Sequence, residues 1–318
     1  MKPVFAQSFS VVVPLYNKER SVSRCLRSIL SQSLPPGEII IVNDGSTDKS
    51  LTVVQQLTDP RIRIYDQPNG GVSSARNFGI AQAQNELVAL LDADDEWHPT
   101  FLENMASLAT KFPGAGLYYA AHNNVHAGKI RATTVPSLPP GAESLVNIFH
   151  FNTDQGPWSS AVVLRKSFLA RTGQFDPKLV KGEDIDLWIR FALNAPIALH
   201  NAPLSTCHGD SENRAMEKPS PPERSLVSNL NRYESAAKNN LEFYLYLQQM
   251  RVAHICNFLG GNRCELANAH DEIDHLDLRV LPAVWTWIQK SPRGLRRVVF
   301  KAHIYAALIG RKLFGGGI

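Results

Sequence analysis

ELVALLDADDEW (86–97) changes character within a few residues: an apolar run, Leu87–Leu91, gives way to three carboxylates at Asp92, Asp94 and Asp95. An apolar run of that length, bounded by polar residues, reads as a strand covered on both faces, and the acids then fall at its carboxyl end. Three earlier segments have the same β-branched, near-continuous apolar character: FSVVVPL (9–15), EIIIVN (38–43) and IRIYD (62–66). Helical spacing fills the intervals, over 19–33, 48–57 and 72–84. The alternation of strand and helix predicts an α/β fold with a doubly wound, mostly parallel sheet. Such sheets bind their ligands beyond the carboxyl ends of the strands, where Asn17, Asp44 and the 92–95 acids lie.

Three clusters carry chemistry. Acids crowded after a buried strand repel one another unless a cation joins them, and paired acids with substrate phosphates are a common way of holding Mg²⁺ or Mn²⁺. NDGSTD (43–48) places the Asp44 carboxylate at a strand end before a glycine turn, where it faces either a polar ligand edge or only its own capped turn. NGGVSSARN (69–77) joins a glycine turn to a helix carrying Arg76, whose guanidinium is suited to a diphosphate. No G-x-G-x-x-G follows the first strand, which argues against a dinucleotide site.

These segments, in order, resemble the family 2 glycosyltransferases of the GT-A nucleotide-sugar fold. The resemblance runs from SVVVPLYN (10–17) through NDGSTD, GGVSSARN (70–77) and LDADDEW (91–97) to GQFD (173–176) and GEDIDLW (182–188), over about two thirds of the chain. It implies that Asp44 faces a uracil, with Pro14, Tyr16 and Asn17 in the same nucleotide pocket, and that Arg76 lies near the diphosphate. It implies a DXD motif in which Asp94 and Asp92 bind Mn²⁺ or Mg²⁺, Asp92 also nears the ribose, and Asp95 touches the donor sugar. His208 falls where such enzymes place a third metal ligand. Asp184 matches the catalytic base of inverting members, with Glu183 its rival; without the family, both would read as acids at a helix N-terminus. Trp158 is expected at the acceptor. The processive enzymes' QxxRW motif is missing, which favours addition of one sugar at a time.

The expected organisation is a catalytic domain over 1–220, divided near 135 into nucleotide and acceptor halves, followed by a helical region over 221–318. Composition is that of a folded protein, with 44% hydrophobic and 19% charged residues. The four cysteines form no metal-ligand pattern, which suits free thiols in a reducing compartment. Eight of the 33 basic residues follow Asp277 and none of the 29 acidic ones does, so the net charge of +4 belongs to the tail. Residues 294–314 pattern as a basic amphipathic helix, which predicts contact with a membrane surface or glycolipid from the cytoplasmic side; a dimer contact is the alternative. Nucleic acid is disfavoured because the remainder is net acidic. The expected activity is transfer from a nucleotide sugar, UDP-linked, to a cell-surface polysaccharide or lipid-linked glycan. The rivals are transfer to a polyprenyl phosphate, and a nucleotide-sugar- or membrane-binding protein without turnover.

Overall fold

A computed structural model describes residues 8–151, 155–214 and 221–259, with Ile273, Leu276, Asp277 and Lys290 beyond them. The chain divides into two compact units on either side of residue 218.

The first unit opens with β1 (Phe9–Leu15), α1 (Val22–Leu30), β2 (Glu38–Asp44), α2 (Ser50–Gln55), β3 (Ile62–Gln67), α3 (Val72–Gln82) and β4 (Leu87–Leu90). Every residue of β1, β2 and β4 is buried, as two-sided coverage of a parallel sheet requires. β1 pairs in parallel with β2, Val12 opposite Ile40, and with β4, Val12 opposite Leu90. In α1 the buried positions Val22, Cys25, Leu26 and Ile29 recur at the spacing of one helical face. α3 packs on β1 and β2 through Gly79, whose added Cβ would collide with Val12.

The chain continues through β5 (Glu96–Trp97), α4 (Phe101–Lys111), β6 (Leu117–His126), β7 (Lys129–Ala132), β8 (Glu143–Val146), β9 (Val162–Arg165), α5 (Leu169–Thr172), α6 (Glu183–Asn194) and β10 (Ile197–His208). All ten strands join one sheet, in the order β3-β2-β1-β4-β9-β6-β10-β5, with β7 on β6 and β8 on β10. β9 enters antiparallel between β4 and β6, and β10 runs parallel to β6, so the long strands are mostly parallel. A short 3₁₀ turn, Ser159–Ala161, leads into β9. The Ser159 and Ser160 hydroxyls donate to Asp184, in the first turn of α6, and to Asp95, after β4.

The second unit contains α7 (Glu234–Ala237) and α8 (Leu241–Leu259), with Phe243, Leu247 and Met250 buried. Among the described residues no helix is long and apolar enough to cross a membrane. The basic stretch at 294–314 lies outside the described residues. Cys25 and Cys207 are free and buried, and Cys264 lies outside the described residues.

Candidate active site

β2 ends at Asp44, and Gly45 then takes φ 71°, a left-handed conformation that turns the chain sharply and favours glycine. The Asp44 carboxylate is buried at the start of α3. Its Oδ1 accepts from Gly70 N at 2.8 Å and Gln67 Nε2 at 2.7 Å, and its Oδ2 from Gly71 N at 2.9 Å. A carboxylate has about four acceptor positions, so Oδ2 retains one for a ligand N–H. Tyr16, half-buried, lies just past β1, and its carbonyl accepts from Asn213 Nδ2 at 3.1 Å. Pro14 is buried within β1, opposite Val42. Asn17, at φ 51°, spends its side chain on the loop after β2: Oδ1 accepts from Thr47 N at 2.8 Å, and Nδ2 donates to Thr47 Oγ1 at 3.2 Å. It joins the loops that follow β1 and β2.

Arg76 is buried. Its guanidinium is 3% exposed, donating through Nη2 to both Asp92 oxygens at 2.7 and 3.0 Å and through Nη1 to Glu183 Oε1 at 3.0 Å. It lies 5.2 Å above the Phe175 ring. Burial works against its charge, but Asp92, Glu183 and Asp184 outweigh that and hold it firmly protonated. The signal missed in the sequence was volume and charge balance: an Arg one turn into a buried helix, beside acids from two other segments, is drawn to those acids before any outside anion.

The same network fixes the start of α6. Gly182 adopts φ 75° and delivers Glu183, Asp184 and Asp186 into the first turn, where the helix dipole favours negative charge. Asp186 Oδ2 accepts from Arg190 at 2.7 Å, and Arg190 also holds the carbonyls of Thr172 and Gln174. Asn77 clamps the Phe175 backbone from α3, at 2.8 and 3.0 Å. The 70–77, 173–176 and 182–188 segments are thereby drawn into one cluster. Glu183 is committed to Arg76, whereas among the described residues Asp184 accepts only from Ile185 N at 2.8 Å and Ser159 Oγ at 3.3 Å. Burial pushes the Asp184 carboxyl above the usual carboxylate range, against the pull of Arg76. Burial and Asp184 likewise push Glu183 up, with Arg76 opposing.

The three acids after β4 have three separate partners. Asp92 faces Arg76. Asp94 Oδ2 accepts from Lys18 Nζ at 2.6 Å. Asp95, 3% exposed, accepts from Ser160 Oγ at 2.5 Å, Trp158 Nε1 at 3.2 Å and His208 N at 3.1 Å. Burial and the adjoining Asp94 and Asp92 carboxylates raise the Asp95 carboxyl to about 7, with Ser160 and Trp158 opposing. Asp95 is thus buried and engaged by Ser160, Trp158 and the His208 backbone. It sets the Trp158 indole, half-buried and stacked at 5.5 Å on His122. Trp97, stacked on Phe101 at 4.3 Å, anchors the far end of the loop and donates to Ser160 O at 2.7 Å.

The expected metal set does not converge. His208 Nε2 is paired with Glu96 Oε1 at 2.9 Å, and Asp92 is held by Arg76. Among the described residues no three or more His, Cys, Asp or Glu side chains are placed to hold a metal ion. Asp94 alone meets a cation suited to exchange: around Lys18 Nζ lie Asp94 Oδ2, the Glu212 carbonyl at 2.6 Å and the Asn213 carbonyl at 3.3 Å. A carboxylate oxygen is a donor of the kind that suits a hard cation such as Mg²⁺ or Mn²⁺. Lys18, Ser159, Ser160 and Glu96 escaped the sequence reading. Lys18 had one usable signal, its place directly after the Tyr16-Asn17 strand end.

The model of glycosyl transferase family 2 matches residues 10–169, half of the chain. The uncharacterized glycosyltransferase YibD of Escherichia coli K12 is 42% identical over 102 residues, which cover 31% of this chain and 30% of YibD. The amylovoran biosynthesis glycosyltransferase AmsB of Erwinia amylovora is 31% identical over 192 residues, covering 58% of this chain and 63% of AmsB. The chain thus spans less than two thirds of either relative. Staphylococcus aureus TarS 1–349, solved in complex with UDP-GlcNAc, superposes with a TM-score of 0.71 at 18% identity, covering 94% of this chain and 92% of that one. The fold is the GT-A fold.

Proposed function

The chain belongs to glycosyl transferase family 2, and we propose that it moves one sugar at a time from a UDP-linked donor to a glycan hydroxyl, with inversion at the anomeric carbon. The observation that carries the reading is the contrast at the start of α6: Glu183 is tied to the buried Arg76, while the adjacent Asp184 keeps acceptor capacity. A base needs a free lone pair and a proton affinity near the working pH, and burial raises that affinity for Asp184. Asp184 would take the proton of the attacking hydroxyl. The acceptor oxygen would bond to the anomeric carbon as the bond to the diphosphate breaks on the opposite face.

The remaining Asp44 lone pair suits the N3–H of uracil. TarS was solved with UDP-GlcNAc and with UDP, which supports a UDP-linked donor here. Asp94 would hold a Mg²⁺ or Mn²⁺ ion, which when bound neutralises charge on the departing diphosphate. Arg76 would fix the position of the Asp92 carboxylate, both of whose oxygens it holds. Trp158 offers a flat apolar face, set by Asp95, on which a sugar ring of the acceptor can stack. AmsB serves amylovoran biosynthesis by its name, which favours a cell-surface polysaccharide or lipid-linked glycan as acceptor.

The test is UDP release from a panel of UDP-sugars with and without glycan acceptors, with the product anomer read by proton NMR. The reading expects acceptor-dependent release, an inverted anomer, and loss of turnover in Asp184→Asn with donor binding retained. Retention of configuration, or full turnover by Asp184→Asn, would overturn it.

A further inference from the structure

Lys18 belongs to no motif that the family resemblance carries, yet its ammonium joins one acid after β4 to two backbone carbonyls of a distant segment. Its side chain is 12% exposed, and Asp94's is 16% exposed. Nζ makes three contacts: to Asp94 Oδ2, to the Glu212 carbonyl and to the Asn213 carbonyl. The segment it grips is bound to the same corner by two further sets of contacts. Glu212 Oε1 accepts from Arg20 N, Ser21 N and Ser21 Oγ at 3.0–3.1 Å, covering the start of α1. Asn213 donates to the Tyr16 carbonyl. Residues 212–213 are therefore strapped across the end of β1, with Lys18 as the joint between strap and acid.

Asp94 stands between Asp92 and Asp95, and an unpaired third carboxylate in that place would be costly. Asp92 has Arg76 and Asp95 has its hydrogen-bond donors, so Lys18 supplies the charge that Asp94 needs. A divalent cation on Asp94 and the Lys18 ammonium draw on the same carboxylate charge, and two cations brought to one carboxylate repel each other.

We propose that Lys18 and the divalent cation alternate on Asp94, the lysine holding the acid and the 212–213 strap when the metal is away and releasing both when it binds. This rests on the reading of Asp94 as the metal-binding acid. Lys18 is on this account a positioning residue: it keeps the acid ordered between turnovers and lowers the apparent affinity for metal alone. A pair closed in about nine molecules of ten lowers that affinity about tenfold.

The measurement is Mn²⁺ titration, without nucleotide, followed by the electron paramagnetic resonance signal of free Mn²⁺. Wild type is compared with Lys18→Met, Lys18→Gln, Lys18→Arg and Asp94→Asn. Lys18→Met and Lys18→Gln should each bind Mn²⁺ about tenfold more tightly than wild type. Lys18→Arg, which keeps the charge, should bind it no more tightly than wild type, and Asp94→Asn should bind it more weakly. If either neutral variant folds and binds Mn²⁺ no better than wild type while Asp94→Asn still loses it, the alternation is wrong and the metal assignment stands. If Asp94→Asn binds Mn²⁺ as wild type does, the metal assignment itself fails and the proposal falls with it. A readout without substitution is amide hydrogen exchange in 211–214 of the wild type. Mn²⁺ alone should speed it as the Lys18 contacts open; unchanged exchange at saturating Mn²⁺ would overturn the proposal.

Discussion

Replacing Arg76 by methionine keeps an unbranched chain of similar length in α3 and removes one charge from a closed network. The guanidinium makes three hydrogen bonds to two carboxylates at 2.7–3.0 Å and sits 3% exposed over Phe175. Removing one partner of such a buried arrangement strands the other charges, at a cost of about 3–5 kcal/mol. That is a large share of the roughly 5–15 kcal/mol that holds a typical domain together. The loss depends on pH, and its sign follows from Glu183. Burial and Asp184 already raise the Glu183 carboxyl and Arg76 opposes them, so without the arginine the folded variant keeps a proton that the unfolded chain releases. The folded variant then binds more protons, and its stability falls as pH rises. Urea unfolding at pH 5 and pH 8 measures both quantities. The account expects about 3–5 kcal/mol of destabilisation at pH 8 and clearly less at pH 5. A loss under about 1 kcal/mol, the worth of an exposed ion pair, or an equal loss at both pH values, would refute the buried-network argument.

Three other outcomes follow from the site. Turnover should fall on acidification through a limb lying above the usual carboxylate range, because Asp184 is raised and must be deprotonated to act; in Asp184→Asn, kcat drops about 10²–10⁴-fold while the UDP affinity stays within a few-fold. His122 is pushed down to about 4 by burial and by Arg131, whereas in the unfolded chain it titrates near 6.5. Lowering the pH from 6.5 to 4 therefore loads the unfolded state first and removes up to about 3 kcal/mol of stability, a slope that His122→Gln should flatten in urea midpoints. Ser160→Ala deletes the short bond to Asp95 and the acceptor for Asp92 N, at a cost of about 1–3 kcal/mol by thermal or urea unfolding.

The first part of the sheet was legible because its signals are local. The runs 9–15 and 38–43 are legible as strands because both are near-continuously apolar, and the family segments give their order. The second half was not, because β6 and β10 alternate small, aromatic and polar residues, and their pairing depends on contacts far apart in the chain. Asp44, Asp92 and Asp184 fall at one end of the sheet as the motifs implied. Partners were the part that sequence could not supply. Motif letters locate Arg76, Asp95 and His208, but which buried charge finds which acid depends on three-dimensional distance. Arg76 turned inward to Asp92 and Glu183, Asp95 to Ser160 and Trp158, and His208 to Glu96.

The central claim is a uridine nucleotide held by Asp44 at the end of β2, and calorimetric titration of UDP into wild type and Asp44→Ala, each with and without Mn²⁺, tests it most directly. Wild type should bind UDP, more tightly with Mn²⁺. Asp44→Ala should lose about tenfold or more in both conditions, since it removes the base contact and loosens the Gly70-Gly71 turn. Equal UDP binding by the two proteins, or none by wild type, would contradict the account.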